Sequence, residues 1–277
     1  MADYRFRNRL PKPGEGKTLR AQLRPTRAEA TSGSASTVGR IYLYDVIDSW
    51  GGYWGVSAAE FIEALDSLGD VSEVHVHLNS PGGEVYEAIA ILNALRNHPA
   101  RVVAVVDGIA ASAASFIAVG ADETIMGENT ELMIHDAWGL AVGNAAAFRQ
   151  FATELDRVSD NIASIYAAKS GGDAATWRAV MIDEHWYSAT EAADAGLADR
   201  VGTVEDQGEA AVPQEDETPA ESDDDLFDLA AMGFKYSGRA EAPEPTVPVE
   251  PGLEPGDDLA IPAASLHRFH EIARATA

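Results

Sequence analysis

Apolar residues recur along the middle of this chain with two alternating spacings. Ile41 to Ile47 (IYLYDVI) is a β-rich run closed by the polar and glycine-rich stretch Asp48 to Gly52, so it predicts a strand and a turn. Ser57-Ala58-Ala59-Glu60 has the spacing of a capping box, and Phe61, Ile62, Leu65 and Leu68 behind it share one side of a helix. Val74, Val76 and Leu78 then alternate with His75 and His77, the period of a strand. Asn79-Ser80-Pro81-Gly82-Gly83 breaks that strand, and Glu84 to Arg96 returns to helical spacing through Val85, Ile89, Leu92 and Leu95. Arg101 to Val106 (RVVAVV) is a buried-strand pattern that runs into Gly108-Ile109-Ala110-Ala111-Ser112-Ala113-Ala114-Ser115, expected as a tightly packed helix start.

Short strands are expected near 123–126 and 131–135. A long helix is expected from about Asn144 to Lys169 and stopped by Ser170-Gly171-Gly172, with a shorter one over 174–181. Ser188-Ala189-Thr190-Glu191 is a second capping box, opening a helix that stops at Gly196, and 197–201 could supply a last edge strand. Strand, helix, strand, helix in this order predicts an α/β fold with a mostly parallel sheet and right-handed crossovers. Ligands in such folds collect where strands end and helices begin, which draws attention to 79–83 and 108–112.

Composition divides the chain. Residues 1–39 are rich in Pro, Gly, Ser and Arg, and the first forty residues carry 9 basic against 3 acidic groups. Residues 205–277 carry 18 acidic against 4 basic groups, with long Pro/Glu-rich stretches. Both predict mostly disordered extensions around a folded domain at 40–204, with short helices expected only at 226–236 and 259–277. The overall formal charge of −25 excludes a general nucleic-acid binder and a binder of anionic membranes. The absence of cysteine excludes disulfides and thiolate chemistry. With no apolar run of spanning length and no secretory leader pattern, a cytoplasmic protein is expected.

The candidate chemistry centres on Ser112. A hydroxyl at a strand-to-helix junction meets unpaired backbone N–H groups and the positive end of the helix dipole, which suits a nucleophile and its oxyanion. The competing reading makes Ser112 and Ser115 small packing residues. His135 ends a strand pattern, Leu132 to His135, and so can lie at the same sheet end as Ser112. His75 and His77 lack a third ligand nearby and read as a solvated or interface face; His267 and His270, three apart, lack further ligands too. No metal or cofactor is expected.

Taken together, NSPGG (Asn79 to Gly83), GIAAS (Gly108 to Ser112), MIH (Met133 to His135), a carboxylate before two aromatics, SATEA (Ser188 to Ala192) and GLAD (Gly196 to Asp199) resemble the Clp protease proteolytic subunit family. The pattern covers about 41–204 and is most similar to the ClpP-like head maturation proteases of tailed phages and prophages. The resemblance implies a ClpP/crotonase-like ββα superhelix and an ATP-independent serine endopeptidase. Ser112 would be the nucleophile, His135 the base, and Gly83 and Ala113 the oxyanion donors, with Pro81 and Gly82 shaping the substrate-binding turn. The acid falls on Glu184, with Asp183 as rival; Asp136 should point away from the His135 ring. The implied partners are a scaffold or capsid protein as substrate and further copies of the chain in a ring, in the host cytoplasm or inside a procapsid. Ala114 and Asp136-Ala137 depart from the family's Gly and Gln-Pro. Alternative readings are a host-type Clp subunit working with an unfolding ATPase, a non-catalytic assembly protein, and an acyl-CoA hydratase or isomerase on the same fold.

Overall fold

The computed structural model describes residues 26–28, 37–51, 55–204, 229–230 and 232–245. The expected helices at 259–277, with His267 and His270, lie outside the described residues. Strand β1 (Thr26–Ala28) falls within the basic arm and pairs antiparallel with β2 (Val38–Leu43). β2 begins earlier than the apolar run suggests and ends at Leu43. Beyond it Ile47 makes isolated parallel bridges to Val56 and Gly83.

Helix α1 (Ala58–Ser67) starts at the expected capping box, with the Ser57 and Glu60 side chains each capping the other's backbone. β3 (Glu73–Ser80) leads through the Pro-Gly-Gly turn into α2 (Val85–Asn97). β4 (Arg101–Ala111) is longer than its pattern predicts: the stretch read as a helix start, Gly108 to Ala111, continues the strand, and α3 (Ala113–Val119) begins only after Ser112. β5 (Glu123–Met126), β6 (Glu131–Ile134), α4 (Ala145–Ser170) and α5 (Ala174–Met181) follow. β7 (His185–Ser188) was not foreseen; α6 (Ala189–Asp194) and β8 (Arg200–Val201) complete the order.

The sheet runs β1-β2-β3-β4-β5-β8, parallel throughout except for β1. β4 is where it forks. Its first half, Val103 to Val106, pairs with β5, whereas Ile109 to Ala111 pairs with β6, which in turn pairs antiparallel with β7. Small residues allow this: Gly108 has no Cβ, and the Asn79 side chain lies in that space and accepts a hydrogen bond from the Ile109 N–H at 3.2 Å. The same Asn79 sits where the β3–β4 register shifts, so it replaces ladder bonds that the shift removes.

The main core lies between the sheet and the helices, built from Ile41, Val76 and Leu78 of the strands, Phe61 and Leu92 of α1 and α2, Phe116 of α3 and Trp177 of α5. A second, smaller cluster covers the other face at the fork: Val46, Ala111, Met133 and Trp186 with Met232, Phe234 and Ala242. Residues 229–236, where a short helix was expected, are therefore turns packed onto the domain in their described part. Gly233 is left-handed at φ +87°, and Phe234 turns back to donate to the Leu229 carbonyl at 3.0 Å. Among the described residues no helix is long and apolar enough to cross a membrane.

Candidate active site

β4 delivers Ser112 to the fork. The residue adopts φ 50°, ψ −119°, a backbone conformation costing roughly 1–3 kcal/mol in an L-residue, so its surroundings must hold it there. They do so from both sides. The Ser112 N–H donates to the Met133 carbonyl of β6 at 2.9 Å, and its carbonyl accepts from the Ser115 Oγ at 2.5 Å. Ser115 is fully buried and hydrogen-bonded to the Tyr166 hydroxyl of α4 at 2.7 Å, so it braces Ser112 and takes no part in the open site. Ser112 itself stays partly exposed.

His135 follows the last residue of β6 and points its Nε2 at the Ser112 Oγ, 2.7 Å away. The residue as a whole is partly exposed, but protein atoms pack densely around its ring. That burial pushes its pKa down to about 4, with the Glu184 charge pulling the other way. Of the two rival carboxylates, Glu184 is thus the one whose charge acts on His135. Asp183 contributes its backbone carbonyl, which pairs with the His185 Nδ1 at 3.0 Å. Asp136 does point away, into an ion pair with Arg178, which also binds Asp156 and Asp160 of α4.

The Glu184 carboxylate is held by three N–H groups. Oε1 accepts from the Trp186 indole at 2.8 Å and the Tyr236 backbone at 2.9 Å, and Oε2 accepts from the Lys235 backbone at 2.7 Å. Phe234 stacks against the His135 ring with centroids 5.7 Å apart and lies 6.3 Å from Trp186. Sequence reasoning missed Trp186, Phe234 and the two backbone donors. The one available signal was the apolar island at Leu226 to Tyr236 inside a Pro/Glu-rich tail.

The Pro81-Gly82-Gly83 turn approaches the Ser112 turn through Gly82. Gly82 is left-handed at φ +88°, and a Cβ there would lie 2.5 Å from the Ala111 carbonyl oxygen, 2.6 Å from the Ala113 nitrogen and 2.9 Å from the Ser112 Cβ. Only glycine lets the two backbones approach this closely. The turn is pinned by Ile47, whose N–H donates to the Gly82 carbonyl and whose carbonyl accepts from the Glu84 N–H. Ala113 is the first residue of α3, so its N–H has no carbonyl four residues back to bond within the helix. Gly83 packs against the Ile47 backbone.

His75 and His77 do not form a solvated face. His75 is buried, its Nε2 2.6 Å from Glu73, and burial pushes its pKa down against the pull of that carboxylate. His77 stacks on Tyr42 and pairs with Asp107 at 2.8 Å. Among the described residues no group of three or more metal-ligating side chains gathers.

Comparison with known proteins matches residues 54–205 to the Clp protease family. Three similar relatives are each named ATP-dependent Clp protease proteolytic subunit. The protein of Pleurastrum terricola is 36% identical over 50% of this chain and 71% of its own length. That of Chlorella vulgaris is 31% identical over 46% and 65%, and that of Bacteroides fragilis 29% identical over 50% and 67%.

Proposed function

Because the chain belongs to the Clp protease family, we propose that it is a serine endopeptidase working through Ser112, His135 and Glu184. His135 takes the Ser112 proton as Oγ attacks the scissile carbonyl, forming a tetrahedral intermediate. The Gly83 and Ala113 amides receive the oxyanion, while Pro81 and Gly82 shape the turn along which substrate lies. The protonated imidazole gives its proton to the leaving amine. Water then attacks the acyl-enzyme by the same route in reverse, with Glu184 stabilising the imidazolium each time.

The observation that carries this reading is the 2.7 Å contact between Ser112 Oγ and His135 Nε2, made by a serine whose backbone is held in a high-energy turn. The test is labelling of Ser112 by a fluorophosphonate together with cleavage of a peptide library. Ser112→Ala should lose both, with a fall in kcat of about a thousandfold or more and the fold unchanged. Full cleavage by that variant would remove the assignment.

At a finer level, the substrate is a scaffold or capsid protein processed without ATP during head maturation, in the host cytoplasm, by an oligomeric and ring-forming enzyme. The basic head and acidic tail support this, since both lie mostly outside the span that matches the family. The relatives' names favour the second reading, a proteolytic subunit partnered by an unfolding ATPase. Degradation of a folded substrate only in the presence of a Clp ATPase and ATP would select the second; ATP-independent cleavage of a co-expressed capsid or scaffold protein would select the first.

A further inference from the structure

The chain supplies two of the donors on Glu184 from more than fifty residues downstream, beyond the span matched by the family. We infer that residues 232–239 are a working part of the catalytic centre, with Phe234 and the Lys235 and Tyr236 amides positioning His135 and Glu184. This rests on the reading of Ser112 and His135 as nucleophile and base.

Hydrogen-bond inventory supports positioning over blockade. A carboxylate offers about four acceptor sites. Trp186, Lys235 and Tyr236 fill three of them, which fixes the group in direction and leaves one acceptor site open. Phe234 covers a face of the His135 ring, while Ser112 stays partly open to an incoming peptide. A segment acting as a lid would be expected to cover the serine.

The segment is anchored at both ends, so its donors are held in place. Met232 and Phe234 are buried against Val46, Ala111, Met133 and Trp186. Arg239 grips both oxygens of Glu191 at 2.6 and 2.7 Å, and its own N–H donates to Glu131 at 3.1 Å. Glu191 in turn has its carboxyl held down to about 2, chiefly by Arg239. The charged and titratable groups at this corner are Glu184 beside His135, and Asp183, Lys235 and Tyr236 around Glu184, while Asp136 points away into its pair with Arg178.

The experiment uses the full chain carrying Phe234→Ala, Phe234→Tyr or Arg239→Ala. Each is assayed for peptide kcat and KM, for the rate of Ser112 labelling by a fluorophosphonate, and for hydrogen exchange across 232–239. Positioning predicts that Phe234→Ala and Arg239→Ala lower kcat and the labelling rate by at least about tenfold, with KM changed little. It also predicts that Phe234→Ala moves the acid limb of kcat/KM upward in pH, because less of the imidazole is buried, and that Phe234→Tyr restores both. Arg239 lies away from the core, so its variant tests the idea even if Phe234→Ala does not fold. Faster labelling or higher kcat would make the segment a lid and overturn the inference. So would unchanged labelling and an unchanged acid limb in a variant whose segment exchanges faster. Wild-type chain that takes no label at Ser112 would overturn the hydrolase reading along with this one, whereas the other two outcomes strike this one alone.

Discussion

Substituting Gly82 by alanine separates two effects that meet at the nucleophile. At φ +88° the new side chain carries a backbone cost of about 1–2 kcal/mol, and its Cβ would lie 2.5 Å from the Ala111 carbonyl oxygen. An ordinary contact begins near 3.4 Å, so the turn and the β4 end must separate by 0.9 Å. The atoms on the far side are the backbone flanking Ser112 and the Ser112 Cβ itself, held by the Met133 carbonyl and Ser115. They yield only by moving the serine or the proposed oxyanion donors. A displacement of about 1 Å in reacting groups costs on the order of a hundredfold in rate. Gly82→Ala should therefore lower kcat about a hundredfold.

Gly171→Ala is the control. It has a similar left-handed φ of +75° but nothing within 4 Å of the new Cβ. It should lower Tm by roughly 4 °C at most times the backbone cost in kcal/mol and leave kcat alone. Peptide turnover and a thermal melt on the three proteins decide the matter. A Gly82→Ala enzyme with wild-type kcat would refute the argument that close backbone approach places the serine.

Two further outcomes follow from the same geometry. With His135 depressed from 6.5 to about 4, the acid limb of kcat/KM should break near pH 4, and a break between 6 and 7 would show that the ring is not buried in solution. Because the unfolded chain binds a proton there that the folded protein does not, the His135 contribution to stability falls as pH drops from 6.5 and stops falling near 4. At about 1.4 kcal/mol per unit this is at most about 3.5 kcal/mol, readable as urea midpoints across that window. Tyr166→Phe removes the hydroxyl bonded to Ser115. It should cost about 1 kcal/mol in urea unfolding while Ser115 still holds the Ser112 carbonyl, so an unchanged midpoint would deny that bond a role.

What could be read from the sequence was what local chemistry decides. Ser57 with Glu60 and Ser188 with Glu191 define their helix starts within four residues, and both capping boxes form. The proximity of Ser112 to His135 was also legible, through strand ends and family resemblance. Long-range pairing decided the rest. Gly108 to Ala111 looks like a helix start because Gly and Ala carry little strand preference, and it stays extended because β6 pairs with it. His185 to Ser188 is too short to announce itself as a strand, and is one only against β6. Alternation put His75 and His77 on one face but could not say what buries His75. Phe234 was hidden for the same reason: its ring partners, Trp186 and His135, lie 48 and 99 residues back along the chain.

The distance in sequence between Glu184 and its backbone donors also sets an order of events. Glu184 is synthesised 51 residues before Lys235. At roughly 5–20 residues per second, that is an interval of about 3–10 seconds. Throughout it the nascent chain already holds Ser112, His135 and helices α1 to α5, yet lacks the amides that hold the acid. A chain terminated within that window never acquires them, so the centre described here is complete only once residues 235 and 236 have been made.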